Sequence, residues 1–269
     1  MKSALIILKE HLQNKYLISR LSLYDLKNTY SATMLGNIWV ILNPLIQIFV
    51  YWLVFGLGIR GGAPVNGVPY FIWLISGIIP WFFISKAITN GSNSIYSKLN
   101  TVSKMNFPLS IVPTYTVTAQ LYNHLILLML LILTVIASIG LVSLNLFLVF
   151  YFTVAAIFLL VAIALITSTL STLVRDVNIL IQSIVRMLFY LTPIIWVPNL
   201  SELPYFFKVM FYLNPFYYLV NGYRELLLFG DTDTIISYNT LYYWNVVLVL
   251  FFIGAFLHVK FRKQFVDSL

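Results

Sequence analysis

The chain reads as an all-α membrane protein with six transmembrane helices. Three observations lead there: an apolar composition, long uninterrupted apolar runs, and basic residues gathered at the ends of those runs. Of the 269 residues, 61% are hydrophobic and 9% charged, whereas soluble domains carry roughly 25% charged residues. A water-soluble fold of this length lacks the polar side chains to cover itself, while lipid accepts apolar ones on the outside. The net charge of +8 would suggest nucleic acid in a soluble protein. Here its placement at span ends reads as membrane orientation, and no nucleic-acid partner is expected. Cysteine is absent, which excludes disulfides, thiolate metal sites and a cysteine nucleophile.

Residues 1–16 are not expected to be a cleaved signal, because the apolar stretch from Ala4 to Leu8 is short and Lys9 and Glu10 follow at once. Next, Leu17, Leu21 and Tyr24 recur at helical spacing with Arg20, Asp25 and Lys27 between them, the pattern of an N-terminal amphipathic helix lying on the inner interface. Apolar stretches of about 20 residues, the length that crosses a hydrocarbon core, fall at residues 38–59, 70–88, 111–139, 144–170, 177–197 and 242–259. Between the last two, Pro198, Pro204 and Pro215 separate apolar pieces at 205–213 and 217–229 that are too short to cross, so short re-entrant or interfacial helices are expected. Asn214 followed by Pro215 has the chemistry of an N-cap and first helical residue. Six spans put both termini on one side. Lys2, Lys9, Lys15, Arg20, Lys27, Lys86, Lys98, Lys104, Arg175, Lys260, Arg262 and Lys263 then share that side against Arg60, Lys208 and Arg224, which makes both termini cytoplasmic. The chain is read as a single permease domain, 1–269, with an interface region at 1–37, a core at 38–259 and a tail at 260–269.

Uphill transport needs an energy source, and nothing matches the GxxxxGK[ST] loop that cradles nucleotide phosphates. Any ATP hydrolysis therefore belongs to another chain. An ion relay usually leaves carboxylates inside the spans, but the acids here lie in loops or near ends, Asp176 coming closest to a span. His11, His124 and His258 are far apart and show no metal-ligand spacing, so a membrane enzyme is the weaker reading and no metal or cofactor is expected on this chain.

Two polar stripes remain. In the fifth span Asn178, Gln182 and Arg186 repeat every four residues and Tyr190 continues the row. The first span repeats the device with Asn43, Gln47 and Tyr51. Polar side chains at membrane depth face protein or a water-filled path. Interhelical hydrogen bonding accounts for the amides equally well, whereas a buried charge is costlier, so Arg186 is the stronger pointer to function. Gln120, Asn123 and His124 form a weaker cluster, read as bundle packing.

Leu35, Gly36, Trp39 and Pro44, then Gly77, Pro80 and Trp81, Phe107 and Pro108, Arg175 and Asp176, Pro193, Asn214 and Pro215, and Gly222, Tyr223 and Arg224 follow one another in an order that resembles the type-2 ABC polysaccharide export permeases. Within that family, the strings SKMNFPLSIVP from Ser103, STLVRDV from Ser171 and HVKFRKQFVD from His258 resemble the wall teichoic acid translocation branch. The resemblance covers nearly the whole chain. It implies a homodimer in the plasma membrane of a Gram-positive bacterium, with two copies of a separate ABC ATPase subunit that bind ATP and Mg. The cargo it implies is a lipid-linked polyanionic polymer, teichoic acid on undecaprenyl diphosphate. A capsular or O-antigen polysaccharide exporter is the alternative, and an enzyme acting on polyprenyl phosphates the more distant one. The broader O-antigen pattern usually carries an uncharged residue where this sequence has Arg186.

Under that reading Arg186 binds the diphosphate, with Gln182 and Asn178 below it and Asn43, Gln47 and Tyr51 opposite. The loop carrying Lys98, Lys104, Met105 and Phe107, together with the amphipathic stretch 19–34 that holds Arg20 and Lys27, is expected to meet the ATPase. Arg224 and Glu225 are expected to face polar partners or water and to form part of an external gate.

Overall fold

The computed structural model describes residues 2–29, 31, 33–102, 108–140, 146–198, 203–232, 235 and 237–267. Among these, regular structure is helical, with one isolated bridge between Val65 and Val68. Five helices are long and apolar enough to cross a membrane. The first runs over Gly36–Ile59, a short 3-10 turn leading into α3 (Trp39–Tyr51) and ending as a π-helical stretch, Trp52–Ile59. The others are α4 (Tyr70–Ser92), α6 (Ile111–Ile139), α7 (Leu146–Leu173) and α11 (Tyr238–Phe261). Two short helices precede them, α1 (Lys2–Gln13) and α2 (Lys15–Thr29). The rest are α5 (Ser94–Val102), α8 (Asp176–Leu191), α9 (Tyr205–Leu213), α10 (Pro215–Phe229) and α12 (Gln264–Asp267).

Helix α4 is the axis of the bundle. Every residue from Ile72 to Ile84 is buried, as a helix apolar on all sides requires when other helices surround it. It packs against α6, α7, α8 and α10.

One expected span is corrected. The apolar run 177–197 gives a helix that stops at Leu191, because Pro193 has no N–H and its ring drives Thr192 into extended backbone, φ −83° and ψ 126°. Sixteen residues make about 24 Å of helix, short of a hydrocarbon core of about 30 Å. Beyond the helix the chain runs on alongside α4: the Tyr70 hydroxyl, at the start of α4, donates to the Ile195 carbonyl at 2.5 Å. At the other end of the pair, Ser92 donates to Asn178 Oδ1 at 2.8 Å. Helices α4 and α8 therefore lie antiparallel.

The chain then folds back on itself. Asn214 caps α10 by accepting from the Phe216 N–H at 2.9 Å with Pro215 at the first helical position, the chemistry expected of that pair. Its amide also donates to Thr192 Oγ1 at 3.0 Å, tying the closed end of the α9–α10 hairpin to the end of α8. Phe216 meets Trp81, eleven residues into α4, with ring centroids 6.2 Å apart. Farther along α10, Gly222 lets the backbone approach α7 so closely that a Cβ would run into the Phe152 ring.

Both chain ends gather at the basic end of the bundle. Glu10 pairs with Arg262 at 3.1 Å and accepts from Ser110, while Phe265 of α12 packs on Ile95, Val112 and Tyr115. Helix α1, unforeseen in the sequence, seats Ala4 and Ile7 against Leu165 and Ala255. Helix α2 differs from the expected stretch 19–34: it covers Lys15–Thr29 and leaves Met34 outside it and fully exposed.

Candidate substrate site

A polar cavity of about 610 Å³ opens at the basic end between α2, α4, α5, α6 and α8. The four-residue repeat on α8 follows the helical period, so Asn178, Gln182 and Arg186 share one face, and all three line the cavity. Arg186 donates to Ser183 Oγ at 3.2 Å. It lies ten residues along α8 from Asp176, about 15 Å at the helical rise, which is too far for that carboxylate to neutralise it.

Lys86 of α4 lines the same cavity and was read in the sequence only as an orientation charge. Its position beside the α8 stripe depends on how α4 and α8 pack, which spacing within either helix does not reveal. Gln120 joins the lining, linked to Asn123 at 3.4 Å. His124 instead stacks on Phe83 at 4.9 Å and reaches the Tyr223 hydroxyl at 3.3 Å inside the core.

The fold of one chain does not bring Asn43 or Gln47 to this cavity. Tyr51 of the same stripe packs on Phe189 of α8 with centroids 5.4 Å apart, beyond the cavity wall. Of the residues expected to meet an ATPase, Lys104, Met105 and Phe107 lie outside the described residues. Lys98 is engaged with Asp25 at 2.9 Å and Thr116 at 3.3 Å, which pins α2 to the start of α6. Arg20 and Lys27 lie exposed on α2, Arg20 reaching back to the Tyr16 hydroxyl at 3.3 Å.

At the opposite end a second cavity, about 400 Å³, has Trp73, Tyr217, Arg224 and Glu225 among its walls. Arg224 is only 3% exposed. It donates to the Pro193 carbonyl at 3.0 Å and the Ile194 carbonyl at 3.1 Å, and its guanidinium sits 3.7 Å from the Trp73 ring centroid. Arg224 thus clamps the broken end of α8 to α10 and α4, and the half-buried Glu225 beside it is the more open of the two.

Chemically, the basic-end cavity brings Lys86 of α4 and Arg186 of α8 together with the Lys98–Asp25 ion pair and neutral hydroxyl and amide groups, a net-positive lining suited to an oxyanion. The profile of the ABC-2 type transporter family matches residues 16–228, which include every residue named in that lining. The chain is similar to the O-antigen export system permease protein RfbA of Klebsiella pneumoniae, 26% identical over 250 residues that cover 88% of this chain and 90% of that one. It is also similar to the O-antigen export system permease protein RfbA of Myxococcus xanthus, 23% identical over 273 residues covering 98% and 99%. Helices long enough to cross a membrane and a family match running from α2 to α10 agree, and the chain belongs to the ABC-2 type transporter family.

Proposed function

We propose that this chain is the membrane subunit of an ATP-driven exporter of lipid-linked polysaccharide, working as a homodimer with a separate ABC ATPase that supplies ATP and Mg chemistry. The observation that carries this reading is the polar cavity at the basic end, which Arg186 lines with Lys86 and neutral amide and hydroxyl groups. An arginine on an apolar helix within a membrane protein needs water, an anion or a buried partner, and its planar fork suits phosphate. The names of the similar permeases favour an O-antigen type of glycolipid as cargo. Teichoic acid is the second reading, favoured by the cationic lining, since a polyanion gains more from two cations than a neutral glycan does.

In this proposal the chain crosses the membrane six times with both ends cytoplasmic. Support comes from the 192–197 continuation of α8 to Tyr70, from the Glu10–Arg262 ion pair, and from the basic residues gathered at that end. The α9–α10 hairpin is then re-entrant. A second copy is supported by the outward face of α3, where Gln47 lies exposed among exposed apolar residues, since lipid is a costly neighbour for an amide. The proposed position of Asn43, Gln47 and Tyr51 opposite Arg186 then requires that second copy. Reconstituting the chain with its ATPase in proteoliposomes and measuring which lipid-linked polymer stimulates ATP hydrolysis tests the reading. Stimulation by an O-antigen glycolipid, a teichoic acid glycolipid or both separates the cargo readings, and hydrolysis indifferent to every lipid-linked polymer overturns the exporter.

A further inference from the structure

We propose that the basic-end cavity is a two-cation phosphate cradle contained within one protomer, in which Lys86 of α4 and Arg186 of α8 together hold a diphosphate. The identity of the carrier, a lipid-linked polymer, rests on the export reading above; the anion chemistry rests on the cavity itself.

Two contacts fix the register of α4 against α8: Ser92 bonded to Asn178 at one level and Trp81 packed on Phe189, centroids 6.0 Å apart, at another. Counting from the first pin, Lys86 lies six residues along α4 and Arg186 eight residues along α8. At the helical rise those are about 9 and about 12 Å, so the two cations stand at nearly one height along the cavity that both line. Among the described residues neither forms an ion pair: Asp25, which lines the same cavity, is taken up by Lys98, and Glu10 by Arg262, while Asp176 sits at the far start of α8. Lys86 is partly buried and Arg186 exposed in this cavity, and two like charges lining one cavity favour an anion held between them.

The residue types match the two ends of a diphosphate. Arginine grips one phosphoryl group through its fork, and lysine serves the other as a point charge. Thr89, Asn90, Gln120 and Gln182 supply neutral donors and acceptors around them, and the cavity falls within the range of about 300–1,000 Å³ common to ligand sites. A phospholipid headgroup and free pyrophosphate carry related chemistry, so the test separates them from a polyprenyl diphosphate.

The experiment uses the full chain in phosphatidylcholine nanodiscs and measures binding of a polyprenyl diphosphate, with inorganic pyrophosphate and phosphatidylglycerol as competitors. Lys86→Gln and Arg186→Gln are each expected to weaken binding at least about tenfold, while Lys86→Arg keeps most of it and thermal unfolding without ligand is unchanged in all three. Competition by pyrophosphate, lost in the same variants, supports the cradle. If Lys86→Gln binds as the wild type does while Arg186→Gln is weakened, the Lys86 inference falls and the Arg186 reading stands. Equal displacement by phosphatidylglycerol makes the cavity a general headgroup site and overturns the diphosphate assignment. No binding by the wild type removes both.

Discussion

Arg224 occupies the space that Gly77 leaves free on α4: a Cβ at Gly77 would run into the guanidinium nitrogen that binds the Ile194 carbonyl. The glycine and the arginine are therefore one device, and the broken end of α8 depends on both. Gly77→Ala is expected to cost about 1–3 kcal/mol by overpacking. Arg224→Lys, with no fork to span two carbonyls, is expected to cost a similar amount. Thermal unfolding in detergent measures each, and a cysteine at Leu226, buried at 1% exposure, should label slowly in the parent and faster in both variants. Unchanged melting and labelling would show that Arg224 is not the clamp.

The docking of α1 should weaken in acid. The His11 ring donates from Nδ1 to the Ile7 carbonyl at 2.7 Å and lies 2.6 Å from Thr114 Oγ1 through Nε2, an arrangement that a neutral imidazole satisfies. Burial holds its pKa below the ordinary 6.5, outweighing the opposing pull of the Ile7 carbonyl and Glu10. The undocked helix thus takes up the proton first, so this contribution is complete above about pH 6.5 and fades as pH falls below it. Limited proteolysis near Gln13 across pH 7.5 to about 5 should show rising cleavage at the acid end. His11→Gln should flatten that dependence.

If α2 transmits the ATPase cycle, its tie to the bundle matters more for coupling than for stability. The Asp25–Lys98 pair is partly exposed, 29% and 24%, and such pairs contribute about 0–1 kcal/mol. Asp25→Asn should leave melting nearly unchanged yet lower the transport obtained per ATP hydrolysed in the reconstituted complex. The exchanged pair, Asp25→Lys with Lys98→Asp, should restore part of it. Equal coupling in the parent and Asp25→Asn would remove α2 from the coupling route.

The parts of the fold legible in the sequence are those that side-chain composition controls. The expected span 111–139 coincides with α6, because its apolar run ends where Gly140 turns the chain at φ 92°. The span at 177–197 was too long because Ile194, Ile195, Trp196 and Val197 continue the apolar run, while the backbone has already left the helix at Thr192 before Pro193. Helix α1 stayed hidden since Lys9 and Glu10 interrupt the hydropathy. Only the α7 and α11 surfaces make Ala4 and Ile7 a buried face. The α8 stripe of Asn178, Gln182 and Arg186 could be read from its own spacing. Lys86 could not, because a lysine that lines a cavity and one that marks a membrane side look alike until the facing helix is placed. Arg224 was legible as a costly charge, but its carbonyl partners arise from the irregular turn at Pro193.

The central claim is that the charge of Arg186 serves cargo rather than the fold. The most direct measurement is substrate-stimulated ATP hydrolysis by the permease and its ATPase in proteoliposomes, comparing Arg186 with Arg186→Gln at equal folded yield. Loss of stimulation by at least about tenfold, with partial recovery in Arg186→Lys and unchanged assembly with the ATPase, is the expected result. Full stimulation in Arg186→Gln, or a loss explained entirely by failed assembly, would contradict it.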